Sequence, residues 1–255
     1  MKEDLYVIQV NNLNKKYKKG NKHENEVFKN FNIKFEKGNV HCLLGASGCG
    51  KSSLLRIIAR IEEFESGEII FDNEIKKDNN ISLSMVLQEN NLLPWLTVTQ
   101  NIKFALDATK KKVSLNQFDE ILKKHELYEV KDYYPYELSV GLKQKVALAK
   151  SIITNPKIIL LDEPFCALDF ISKENIHKIF LNEFAKENFT SILSTHYVEE
   201  AVKLGDYIHL LSKKNKYERI KNPLKKPREK DNEYNKFIKY IKEKYKVQEE
   251  KNVFT

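Results

Sequence analysis

The sequence predicts an α/β fold with a mostly parallel sheet and a helical insert. Three observations carry this. Short apolar strands alternate with helical patterns at both ends of the body, and strand signals vanish from about Gln88 to Asn155. Glycine is scarce, at 8 in 255 residues, yet Gly45, Gly48 and Gly50 fall within six positions. Such a concentration marks a turn where the backbone must adopt conformations closed to other residues.

The elements follow in order. Leu5–Val10 alternates as a strand does, and Val27–Phe35 alternates more cleanly. Lys37-Gly38-Asn39 turns that strand into Val40–Leu44, which is apolar throughout, as a strand buried on both faces is. After the glycines, Ser52–Ile61 carries Leu54, Leu55, Ile58 and Ile61 at helical spacing. Glu68–Phe71 and Ser82–Leu87 read as strands. The insert holds helices at Val98–Ala108, Leu115–Glu126 and Val140–Thr154, the last two led by the cap residues Ser114 and Ser139. Ile158–Leu161 resumes the strands, followed by a helix over Ser172–Asn188, a strand over Ser191–Ser194, a helix over Val198–Leu204 and a last strand over Tyr207–Leu211. Three parts result: a core of residues 1–87 and 156–212, a helical subdomain of residues 88–155, and a tail of residues 213–255. In the tail, Asp231 is placed to cap a helix with Tyr234, Phe237, Ile238, Ile241 and Tyr245 on one stripe. That helix reads as a solvated amphipathic helix folded on the body, with contact to an anionic membrane surface as the alternative.

Composition narrows the function classes. Apolar residues are 41 % and charged residues 31 %, which suits a folded, soluble chain. No apolar run approaches the ~18 residues of a membrane-spanning helix, and the N-terminus shows no signal-peptide core. Cys42, Cys49 and Cys166 are too few and too scattered for a disulfide frame or zinc cage, so a reduced, intracellular protein is expected. The net charge of +8 resides in the tail, where residues 213–255 carry 15 Lys+Arg against 7 Asp+Glu. The body is balanced, so nothing calls for a nucleic-acid partner.

Gly45-Ala46-Ser47-Gly48-Cys49-Gly50-Lys51-Ser52 fits the phosphate-loop pattern G-x-x-x-x-G-K-[ST]. Chance predicts about 0.003 such matches in a chain of this composition, and the match lies between a strand and a helix, as the chemistry requires. Glycines let successive amide N–H groups curl around phosphate oxygens, and the helix N-terminus adds partial positive charge. Lys51 is placed to reach the β- and γ-phosphates, and the Ser52 hydroxyl to ligate Mg²⁺. Ile158–Leu161 ends in Asp162 and Glu163, at the carboxyl end of a strand where ligands gather in parallel sheets. Asp162 is placed to hold Mg²⁺ through water, and Glu163 to polarise a water attacking the γ-phosphate.

With these motifs stand Gln88 after an apolar strand, Leu138-Ser139-Val140-Gly141-Leu142-Lys143-Gln144, Ala167-Leu168-Asp169 and Thr195-His196. In this order the sequence resembles the ATP-binding subunits of ATP-binding-cassette transporters, over residues 5 to about 212. The resemblance implies a RecA-like P-loop NTPase core, an N-terminal antiparallel β subdomain and a helical insert bearing the signature segment. It implies ATP and Mg²⁺ as ligands, with residues 45–52 and the adjoining Ser53 around the nucleotide. Gln88 would sense Mg²⁺ and the attacking water. Ser139 and Gly141 would bind the γ-phosphate held by a second copy of the chain, Asp169 would lie at the dimer seam, and His196 would contact the γ-phosphate. Tyr17 matches the aromatic that stacks on adenine, with Tyr6 and Phe28 as alternatives. The family usually has glycine where Val140 stands, and glutamine or methionine where Leu142 stands. A valine in the first helical position keeps an ordinary φ, so the amides still face a phosphate, while its bulk predicts slower turnover.

The stretch Gln88–Val98, with Leu92-Leu93-Pro94-Trp95, and Pro227-Arg228 before the tail helix resemble the importer group for nitrate, sulfonates and taurine. This implies a transport ATPase, peripheral on the cytoplasmic face of the membrane. It would dock a transmembrane permease through residues 88–95 and act indirectly with a substrate-binding protein. Trp95 reads equally as an exposed anchor for that contact or as packing inside the insert. Other readings are a non-transport cassette ATPase, a weakly hydrolysing nucleotide-dependent regulator, and a P-loop kinase or small GTPase; the last leaves Ser139–Gln144 and His196 without a role.

Overall fold

The computed structural model describes residues 5–19, 23–77, 80–89, 91–109, 113–187, 189–213 and 217–253. Asn90 of the expected docking stretch, Asn188 at the end of an expected helix, and tail residues 214–216 and 254–255 lie outside them. The elements begin with β1 (Tyr6–Lys19), β2 (His23–Glu36), β3 (Val40–Leu44), α1 (Lys51–Ile58) and β4 (Ser66–Phe71). The two-residue strands β5 (Lys76–Lys77) and β6 (Asn80–Ile81) lead to β7 (Leu83–Val86), α2 (Val98–Ala108), α3 (Leu115–Lys124) and α4 (Val140–Ile152). Then come β8 (Ile158–Leu161), α5 (Phe170–Glu187), β9 (Thr190–Thr195), α6 (Val198–Leu204), β10 (Tyr207–Leu211), β11 (Tyr217–Lys221) and α7 (Asn232–Val253). The chain forms two compact units, residues 1–82 with 190–255, and residues 83–189.

The first unit holds an antiparallel sheet of order β2-β1-β4. Ile8, Val10, Leu13, Phe28, Phe31, Ile33 and Phe35 are buried along β1 and β2, with the Phe28 and Phe31 rings 4.8 Å apart. β10, β3 and β9 lie parallel and side by side, each buried along its whole length, as strands between two covering layers are. α1 buries Leu54, Leu55, Ile57 and Ile58.

Several boundaries differ from the sequence reading: α1 stops at Ile58, leaving Ile61 exposed beyond it, and β2 begins at His23. β1 runs on past Val10 through the Lys-rich stretch to Lys19, because it pairs with β2 as far as His23, and so includes Tyr17. Tyr207–Leu211 is also not the last strand, since β11 pairs antiparallel with it. The sequence hides β11 because no residue of it is buried; it is tied to β10 by pairing and by Tyr217 stacking on His209, which belongs to a buried histidine pair. His41 Nε2 lies 2.9 Å from the Glu36 carbonyl, which only accepts, so that nitrogen carries the proton. His41 Nδ1 then accepts from His209 Nε2 (2.9 Å), and His209 Nδ1 accepts from the Tyr217 hydroxyl of β11 (2.9 Å). Both imidazoles are neutral in this chain, and burial pushes His41 down to about 4.

The tail folds back on this unit. Asp231 caps α7 by accepting from the Tyr234 amide at 2.8 Å, and Tyr234 and Ile241 are buried on the side that packs on α6. Arg228, whose side chain is 1 % exposed, pairs with Asp206 at 2.9 Å and donates to the Lys203 carbonyl at 3.0 Å. Burial alone would raise the Asp206 carboxyl; the Lys226 ammonium, the Val40 amide and Arg228 hold it below the usual carboxylate range.

The second unit pairs β7 with β8 in parallel, Val86 beside Leu161. α2, α3 and α4 pack around Val98, Ile102, Leu106, Phe118, Leu122, Leu127 and Val146. Ser114 caps α3 and Ser139 caps α4, each by accepting from an amide three residues on, as their positions predict. Among the described residues no helix is long and apolar enough to cross a membrane.

Candidate functional site

In the first unit, the loop of residues 45–50 leaves the end of β3 and enters α1. Gly48 (φ 78°) and Gly50 (φ 102°) are left-handed, the conformation for which glycine is suited. A Cβ at Gly48 would meet nothing within 4 Å, so the loop there is an open cradle of backbone. A Cβ on Gly45 would strike the Leu211 carbonyl oxygen at 2.6 Å, which is why the loop packs against β10 only with glycine there. The amides of the first turn of α1 have no intrahelical acceptor, and no acidic residue stands in that turn. Lys51, 5 % exposed, folds over the loop and donates to the carbonyls of Gly45 (2.7 Å) and Ala46 (3.2 Å). Amides, helix end and ammonium thus concentrate positive potential at one loop, and a polyphosphate is the ligand this arrangement fits.

β9 runs beside β3 with Thr195 level with Leu44, so His196 and the loop start from neighbouring strand ends. The His196 ring is exposed and lies 4.1 Å from that of Tyr197. Tyr17 is half-buried on β1, and its hydroxyl lies 2.8 Å from Ser53 Oγ in α1 and against Glu62 Oε1. Of the two other aromatics, Phe28 is buried and would abut a Cβ at Gly50, so it packs the core and offers no face to a ligand. Tyr6 has the Lys34 ammonium over its ring at 5.2 Å.

In the second unit Gln88, Asp162 and Glu163 lie just past the carboxyl ends of β7 and β8. Asp162 is fully buried, and its amide extends the ladder by donating to Val86 O at 2.9 Å. Glu163 follows in left-handed backbone, φ 44°, which costs a non-glycine residue about 1–2 kcal/mol. Gln88 is exposed two residues past β7, and its Nε2 lies 3.9 Å from Cys166 Sγ, leaving its amide oxygen to accept or coordinate. In this unit the Gln88 amide oxygen and the Asp162 carboxylate are hard oxygen donors, the chemistry that suits Mg²⁺; in the first unit the Ser52 hydroxyl is another.

Ser139 is exposed and its Oγ accepts from the Leu142 amide at 3.3 Å. Val140 is the first residue of α4, 48 % exposed, and keeps an ordinary negative φ as expected. Gly141 leaves ordinary contact distance, 3.4 Å, between an added Cβ and Ser172 Oγ. Asp169 caps α5, accepting from the Ser172 amide at 3.0 Å, and bonding to Ser172 draws its carboxyl below the usual range. Trp95 is 69 % exposed, so it is not packing inside the helical unit. No local pattern in the chain marks the partners that hold Tyr17: Glu62 and Lys15 are distant in sequence and meet only through the turn after α1.

A family model described as ABC transporter matches residues 28–166. The chain is 36 % identical over 218 residues to an aliphatic sulfonates import ATP-binding protein of Bacillus cereus, covering 82 % of this chain and 83 % of that one. It is 39 % identical over 186 residues to a nitrate import ATP-binding protein of Synechocystis sp., covering 72 % and 70 %. Among solved structures, a dimeric post-hydrolysis ATP-binding cassette bound to ADP and Pi superposes with a TM-score of 0.72 at 28 % identity, over 83 % of this chain and 98 % of that one.

Proposed function

The chain belongs to the ABC transporter family, and from that premise we propose that it is the ATP-hydrolysing subunit of an importer for a small solute of the nitrate, sulfonate and taurine group. The observation that carries the reading is the loop at the end of β3: left-handed glycines, the N-terminal end of α1 and Lys51 closing over the loop. Import ATP-binding relatives favour this over a non-transport cassette or a weakly hydrolysing regulator.

Residues 45–53 bind the phosphates of ATP, and Lys51 neutralises the β- and γ-phosphate oxygens. Ser52 and Gln88, and Asp162 through water, would hold Mg²⁺, which when bound would supply charge neutralisation to the phosphates. Glu163 accepts a proton as water attacks the γ-phosphorus; the bond to the ADP oxygen breaks, and ADP and phosphate leave. His196 donates to the γ-phosphate. A second copy of the chain contributes Ser139, Gly141 and the amides after them to that same γ-phosphate, with Asp169 at the seam. The contact exists only while the γ-phosphate bridges two chains, so binding closes the pair and product release opens it. The motion passes through residues 88–95 to a permease at the cytoplasmic face of the membrane, with exposed Trp95 as the anchor.

The test is steady-state phosphate release by the purified full chain, with Mg²⁺. Lys51→Ala should abolish nucleotide uptake. Glu163→Gln should bind ATP normally and lose at least about a hundredfold in turnover, the scale of general-base removal. Wild-type turnover in both variants would sink the reading.

A further inference from the structure

The hydroxyl of Tyr17 has one proton and two neighbours. A carboxylate only accepts, so that proton goes to Glu62, and the Ser53 hydroxyl donates to the phenol oxygen. Glu62 also pairs with Lys15, 3.1 Å from its ammonium, and Lys15 donates to the Glu63 carbonyl at 2.7 Å. The same ammonium lies 4.8 Å from the centre of the Tyr17 ring. The side chains of Lys15 and Glu62 are 12 % and 20 % exposed. The ring is therefore fixed at its hydroxyl end and backed on one face by a cation, which directs a planar base to its opposite face. Ser53 belongs to the first turn of the helix that follows the phosphate loop, so this hydrogen bond joins the ring to the element that holds the phosphates.

We infer that Glu62 is a positioning residue for base recognition. It holds the Tyr17 ring, with Lys15, in the orientation that stacks on adenine, and so sets nucleotide affinity without touching the nucleotide. This rests on the reading of Tyr17 as the stacking aromatic. Ordering a ring in advance of binding removes that cost from the binding step.

The experiment measures dissociation constants of the full chain for ATP and for inorganic tripolyphosphate, both with Mg²⁺, by calorimetry. Tripolyphosphate has no base, so it reports the phosphate loop alone. Tyr17→Phe and Glu62→Ala should each weaken ATP about threefold to tenfold, the worth of one hydrogen bond, and leave tripolyphosphate unchanged. Glu62→Gln, whose amide oxygen still accepts, should recover most of the loss, and the Tyr17→Phe/Glu62→Ala pair should be no weaker than either single change. If Tyr17→Ala weakens ATP while Tyr17→Phe and Glu62→Ala bind it as wild type does, the positioning role is overturned and stacking survives. If Tyr17→Ala binds ATP as wild type does, stacking itself is overturned. Equal weakening of both ligands by Glu62→Ala overturns the assignment to the base.

Discussion

Glu163 holds a carboxylate at a strand end by adopting φ 44°, and the strain is intrinsic to its having a side chain there. Glu163→Gly should relieve about 0.5–1 kcal/mol relative to Glu163→Gln, both being inactive. Denaturant unfolding of the two inactive variants checks this, and identical midpoints would show that the backbone is not strained. Val140 is the reverse case, a side chain whose backbone is at ease but whose bulk stands beside the amides offered to a phosphate. Val140→Gly should raise turnover, and an unaltered rate would mean that the valine lies clear of the nucleotide. The Val140 effect is legible in the sequence, whereas the Glu163 strain is not, since it depends on where the backbone turns.

Among the elements, α4 shows how one side chain serves stability and function together. Ser139 satisfies the Leu142 amide and leaves its neighbours' amides at an exposed helix end. Ser139→Ala should cost about 1 kcal/mol, a drop of roughly 2–4 °C in melting temperature for a chain of this size. Ser139→Asp caps equally well, so it should recover the melting temperature, but its negative charge opposes a phosphate and turnover should stay low. Recovery of both would reduce Ser139 to a cap. The β1–β2 hairpin is governed differently. Its Lys-rich end lacks alternation and is a strand because its partner strand continues beside it, which is how Tyr17 comes to face α1.

For the molecule as a whole, acid should be destabilising well above the carboxylate range. His41 is neutral and buried in the fold with a value of about 4, against about 6.5 in an unfolded chain. The unfolded state therefore binds the proton first. Stability is intact above pH 6.5, falls as pH drops toward 4, and loses roughly 3 kcal/mol from this group alone. Urea unfolding at stepped pH reads that slope, and His41→Leu should flatten it; an unchanged slope would place the acid sensitivity elsewhere. The buried pair also joins β11 to β10 through Tyr217, so the same protonation loosens the strand that leads into the tail.

What the sequence determined by itself is the chemistry of local runs: the phosphate loop, the strand ending in Asp162 and Glu163, the capped helices, the fully apolar strands. Each is written in consecutive residues, because a tight turn, a cap or an apolar strand is a short-range requirement on backbone conformation and burial. Tertiary structure alone decided the course of β1 and β11, the exposure of Trp95, the burial of His41 beside His209, and the frame of Lys15, Glu62 and Ser53 around Tyr17. Those depend on pairs of groups many positions apart, whose meeting is set by strand pairing and packing and leaves no periodic trace in the chain.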